Sequence, residues 1–172
     1  MKLRRIRAGE GPALREIRLR ALAESPSAFG STLAREQAFD EALWANRAEE
    51  SSRGSVAATF VVEDARGSWQ GLVTVLGPAH EAADDPTCAT LVSMWIAPEA
   101  RRQGIAKKLV QAAVEFATSI GAPTLRLAVT RSSTAARQLY ETFGFEPARE
   151  ESYEESHPCH GEIQMTLPLS SL

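Results

Sequence analysis

The stretch Trp95-Ile96-Ala97-Pro98-Glu99-Ala100-Arg101-Arg102-Gln103-Gly104-Ile105-Ala106-Lys107-Lys108-Leu109 decides how this chain is read. An apolar strand runs through a basic, glycine-punctuated turn into an amphipathic helix. Such a turn points several backbone N–H groups outward, and the helix behind it adds unpaired first-turn donors and a partial positive charge. A phosphate can therefore be held there largely by main chain. Gly104 lets a ligand approach the backbone, and Arg101, Arg102, Lys107 and Lys108 add charge.

Downstream, Ile105, Leu109, Ala112, Ala113, Phe116 and Ile120 recur at helical spacing until Gly121-Ala122-Pro123 stops the helix. Leu125 to Val129 is apolar enough for a strand buried on both faces, suited to parallel pairing after a helical crossover. Ser132 or Ser133 is placed to cap a short helix with Ala136, Leu139, Tyr140 and Phe143 inward, and Gly144 to end it. Strands are expected from Phe145 onward and over Glu162 to Leu167, with an acidic segment and His157-Pro158 between them. Upstream, Leu3 to Arg7 alternates as a short strand, and Pro12 opens a helix carrying Leu14, Ile17, Ala21 and Leu22. A second helix is expected over roughly 33–50. A hairpin joins Val56–Glu63 to Trp69–Leu76, Gly77 to Pro86 is a loop, and Thr87 to Ala97 is the strand entering the basic turn. The order β α α β β β α β α β β predicts a mixed sheet with helices on its faces.

The chain of 172 residues is read as a single domain, 1–172, and its apolar share of 44% is enough for a core. A net charge of -3 argues against nucleic-acid binding, since the basic residues are local to 2–7, 15–20 and 101–108. Glu150, Glu151, Glu154 and Glu155 make the late part acidic. Cys88 and Cys159 suggest neither a disulfide framework nor a metal site, and reduced thiols are expected. No run approaches 18 apolar residues, so a cytoplasmic protein without membrane contact is expected.

Two motifs carry a family resemblance. Arg101-x-x-Gly104-x-Ala106 sits at a strand-to-helix junction, and Ala136-x-x-Leu139-Tyr140-Glu141-x-x-Gly144-Phe145 follows at a matching distance. With Met94-Trp95-Ile96-Ala97-Pro98 before the loop, the chain resembles the GCN5-related N-acetyltransferase (GNAT) superfamily over residues 3 to 168. The resemblance implies an α/β (α+β) GNAT fold: a mixed, mostly antiparallel twisted sheet of six to seven strands, helices on both faces, and a splayed central parallel pair that binds the cofactor. It implies transfer of an acetyl group from acetyl-CoA to a primary amine, on a small molecule or a peptide N-terminus, by a monomer or homodimer without metal. Where many members have Asn, this chain has Ser133, so the resemblance implies that the usual contact to the pantetheine arm is either weakened or made by the hydroxyl instead.

On that resemblance the backbone of Gln103, Gly104, Ile105, Ala106 and Lys107 holds the pyrophosphate, with Arg101 and Arg102 adding charge-assisted bonds. Strand groups of Trp95, Ile96 and Ala97 pair with the pantetheine amides, and an N–H within Met94 to Ile96 polarises the thioester carbonyl. Tyr140 matches the position whose phenol protonates the departing thiolate. The general base stays open: the strand Thr90-Leu91-Val92-Ser93-Met94 has no carboxylate, leaving Glu36, Glu63, a water chain past Ser93 or Thr90, and His157 or His160. Phe29 and Glu36 are expected to line the acceptor groove. The other reading of the chain is an acetyl-CoA-binding module that has lost turnover.

Overall fold

The computed structural model describes residues 1–83, 85–148 and 161–169. The acidic positions 150–155, His157, Cys159 and His160 lie outside the described residues. Strands β1 (Lys2–Arg5), β2 (Ala57–Glu63), β3 (Trp69–Leu76), β4 (Ala89–Ile96), β5 (Thr124–Thr130), β6 (Glu146–Pro147) and β7 (Glu162–Pro168) form one sheet in the order β1-β2-β3-β4-β5-β7-β6. Every pairing is antiparallel except that of β4 with β5. The expected mixed sheet with a central parallel pair is therefore present.

The helices are α1 (Gly11–Glu24), α2 (Leu33–Gln37), α3 (Glu41–Ser52), α4 (Ile105–Ser119) and α5 (Thr134–Glu141). The single helix expected over 33–50 is two helices. Asp40 accepts a hydrogen bond from the Leu43 amide (2.8 Å) and so starts α3 afresh, a short acidic side chain being a better cap than an interior helix residue. Ser133 occupies the cap position of α5 through its carbonyl, which accepts from Arg137 N (3.0 Å), but neither its hydroxyl nor that of Ser132 caps the helix as expected.

Strand alternation puts different chemistry on the two faces of β3. Leu72, Thr74 and Leu76 face a cavity beneath α1 and α3, whereas Gly71 lies against Ile105 and Leu109 of α4. Helix α4 buries Ile105, Leu109, Val110, Ala113, Phe116 and Ala117 against the sheet, the side its apolar spacing assigned to the core. On the opposite face α1 and α3 touch so closely that a Cβ on Gly11 would sit 2.9 Å from Ala45 N, which is why glycine opens α1.

Candidate active site

Two irregularities in β4 shape the centre of the molecule. Its parallel pairing with β5 covers only Ala89–Leu125 and Thr90–Arg126, after which the strands part. Against β3, the register runs from Leu72–Trp95 to Thr74–Val92, so two residues of β3 span three of β4. The extra residue is Ser93, with a φ of 57°. This is a β-bulge, which bends the strand and leaves ladder groups unpaired, and a left-handed non-glycine residue is held there only by its surroundings. Arg18 of α1 supplies them: its Nη1 donates to Ser93 Oγ (3.1 Å).

Arg18 is itself locked. Its Nε and Nη2 donate to both carboxylate oxygens of Glu36 at 2.9 and 2.8 Å, and its guanidinium lies 4.6 Å from the Phe29 ring centre. Burial pushes the Glu36 carboxyl up, but the Arg18 hydrogen bonds and charge more than offset that, holding it below the usual carboxylate range. Glu36 is only 3% exposed, and an anion so stabilised and already doubly bonded is poorly suited to take a proton.

Cavities flank this cluster on both sides, sharing Arg18, Val92 and Ser93. One, of about 600 Å³, lies under α1 and α3 and is lined by Glu36, Trp44, Arg47, Thr74 and His80 among others. The other, of about 300 Å³, opens at the fork of β4 and β5 and is lined by Phe29, Thr90, Arg126, Glu162 and Gln164. Phe29 and Glu36 thus meet through Arg18 but line different cavities. Glu63 lines neither; it pairs at 2.9 Å with Arg4, which also bonds Glu10 at the start of α1.

At the other end of β4 the chain turns through Arg102 (φ 62°) and Gly104 (φ 75°) into α4. Among the described residues, none of the amides from Arg102 to Lys107 has a hydrogen-bond acceptor. Successive outward N–H groups around left-handed residues, continued by a helix N-terminus, form an anion-binding concavity. Arg101 does not point free into it. Its Nη2 donates to Glu24 (2.8 Å) and its Nε to Ile96 O (3.1 Å), while Ala97 N donates to Gln70 O (2.9 Å), so these groups already have partners within the protein. Glu24 also accepts from Trp95 Nε1 (3.0 Å) and from the Ser25 hydroxyl, which with Arg101 bring its carboxyl down to about 2.

Tyr140 is 5% exposed, stacked edge-on to Phe145 at 5.7 Å, and burial pushes its phenol up to about 12. It lines neither of the two cavities, so the structure places it in the core beside α4 rather than at their walls.

These features can be compared with known proteins. Residues 18–145 match the Acetyltransferase (GNAT) family. The chain belongs to that family. Over 84 residues it is 34% identical to the ribosomal protein bS18-alanine N-acetyltransferase of Escherichia coli K12, a match covering 48% of this chain and 57% of that protein. Among solved structures, a GNAT-family acetyltransferase from Streptococcus pneumoniae shares the fold at a TM-score of 0.77 and 18% identity, over 97% of this chain and 98% of that one. A Salmonella typhimurium acetyltransferase solved with its cofactor acetyl-CoA shares it at 0.75 and 16%, over 98% and 94%. Among the described residues no group of side chains is arranged to hold a metal ion, and no helix is long and apolar enough to cross a membrane.

Two features of this region have little signature in the sequence. Ser93 as a left-handed bulge carries no local signature, since serine in a strand ordinarily pairs. Glu162 stood inside an expected strand, and its alternation with Gln164 is the one signal that it shares a face with a polar neighbour.

Proposed function

We propose that this chain moves an acetyl group from acetyl-CoA to a primary amine, of a small molecule or a peptide N-terminus, by direct transfer with both substrates bound. The observation that carries this reading is the fork between β4 and β5. It opens just past Thr90, is bent by the Ser93 bulge, and lies on the strand that leads into the row of unpartnered amides from Arg102 to Lys107. The amides hold the pyrophosphate, and the fork admits the pantetheine arm, with the thioester near the bulge and the amine arriving from the cavities on either side of Arg18.

Each residue then has a task. An amide of β4 within Met94 to Ile96 donates to the thioester oxygen where negative charge develops. Phe29 and Arg18 wall the entrance and orient the amine. Glu162 is the carboxylate of the fork cavity and receives the proton that the attacking nitrogen sheds, directly or through one water. Tyr140 donates its hydroxyl hydrogen bond toward the sulfur as the carbon–sulfur bond breaks, so that the proton lost by nitrogen is matched by one gained at sulfur. The Ser133 hydroxyl supports the arm between these points.

The test is release of free thiol from acetyl-CoA with a panel of amines. Amine-dependent release is expected; acetyl-CoA binding with no turnover across a broad panel would overturn the enzyme reading in favour of a binding module. Glu162→Gln is expected to lower kcat/KM about 10²-fold with acetyl-CoA affinity unchanged, read by steady-state kinetics and calorimetry. Glu24→Gln is expected to raise the KM for acetyl-CoA several-fold with little change in kcat, because Arg101 loses its anchor beside the loop. The same substitution should flatten acid denaturation. The Glu24 carboxyl, at about 2, lies below its ordinary value near 4.3. Its contribution is therefore present above that ordinary value and fades as the pH falls toward 2, which a urea titration against pH would show.

A further inference from the structure

The larger cavity contains a cation with nothing to hold. Arg47 of α3 lines it and lies 5.0 Å from the centre of Phe39 and 5.3 Å from that of Trp44, two rings that are themselves 6.0 Å apart and so sit to one side of the guanidinium. The rings cover one side of the guanidinium, and among the described residues its N–H groups have no hydrogen-bond acceptor and no ion pair within 4.0 Å. The one carboxylate that acts on it from nearby, Glu36, is consumed by both arms of Arg18, and Arg35 and Arg18 repel it. Trp44, on the same wall, carries a buried indole N–H that also lacks an acceptor. Glu50, one turn further along α3, is turned to His80 Nε2 at 3.2 Å, whose Nδ1 accepts from Ala82 N. One wall is thus rich in unused donors, and the cavity continues from there to Ser93 at the bulge.

We infer that the acceptor carries a carboxylate as well as the reacting amine, and that Arg47 grips this carboxylate through its N–H edge while the amine reaches toward Ser93. The inference rests on the proposed transfer reaction for the direction of the amine, but the grip on the carboxylate is a binding property that stands apart from turnover. A planar fork meeting a carboxylate in two parallel bonds is the geometry that an arginine offers and a lysine does not. The carboxylate can belong to a free amino acid-like molecule or to an acidic side chain next to a peptide N-terminus.

Matched pairs separate the sources: γ-aminobutyrate against its amide, and the dipeptide amide Ala-Asp-NH2 against Ala-Asn-NH2. Each is measured for kcat/KM with acetyl-CoA and, independently, for the rise it produces in melting temperature. The carboxylate member of at least one pair is expected to be preferred about tenfold or more. Arg47→Met is expected to abolish that preference while leaving acetyl-CoA affinity intact, and Arg47→Lys to restore part of it. Equal binding of both members of both pairs, or an Arg47→Met variant that weakens carboxylate and amide alike, overturns the inference. Carboxylate-selective binding that vanishes in Arg47→Met, with no turnover of any amine, upholds the Arg47 site and overturns the transfer reading instead.

Discussion

Tyr140→Phe should lower kcat about 10²-fold to 10³-fold while leaving acetyl-CoA affinity within about twofold, since the hydroxyl is asked to act only as the carbon–sulfur bond breaks. Burial has lifted the phenol to about 12, so it stays protonated throughout the neutral range and is available as a donor. It is also a weaker acid than an alkyl thiol, whose ordinary value is near 8.5. The useful contribution is therefore a hydrogen bond that strengthens as charge reaches sulfur, and the proton's final arrival follows rather than drives bond breaking. Linkage adds a second signature. With the folded value above the ordinary one near 10, stability from the neutral phenol is intact below pH 10 and declines as the pH rises toward 12. Tyr140→Phe should blunt that alkaline decline, and unchanged kcat in the variant would remove the phenol from the reaction.

Glu36→Gln should cost about 3 kcal/mol of stability, or roughly 6–12 °C in melting temperature for a chain of this size. The substitution leaves the Arg18 guanidinium, only 13% exposed, without its carboxylate, and removing one member of a buried pair is far more damaging than replacing both. Because the native Glu36 carboxyl lies below its ordinary range, its contribution is present above that range and fades as the pH falls through the folded value. Wild type and variant should therefore converge in acid. A second consequence separates this role from a proton-accepting one. Arg18 also steadies Ser93, so kcat should fall with the stability change, and Glu36→Asp, which keeps the charge, should recover much of both.

How much of this is legible in the sequence depends on the range of the forces involved. The turn from Arg101 to Lys107 and the amphipathic stripe of α4 are local matters of backbone conformation and period, and both appear where the residues put them. The parallel pairing of β4 with β5 also follows from a helical crossover between two apolar strands. The break at Asp40 is hidden in the sequence because the apolar spacing of Leu33, Phe39, Leu43 and Trp44 looks continuous, while a single capping carboxylate overrides it. The Arg18–Glu36–Ser93 cluster depends on partners 18 and 75 positions apart, and no pattern in one segment announces such a meeting. Likewise Arg101 reads as a free cation in its own motif; only the fold brings Glu24, 77 positions away, to its side.

Helix α1 reaches β4 twice. Arg18 fastens the bulge and Glu24 fastens Trp95 and the Arg101 turn, so two side chains on one rigid rod fix two points of the same strand. Six residues of helix span roughly 9 Å. For the proposed reaction, α1 would set the distance between where the nucleotide end of acetyl-CoA is gripped and where the amine meets it. One residue inserted between Arg18 and Glu24 would turn their side chains about 100° out of phase, so that only one of the two attachments could form at a time.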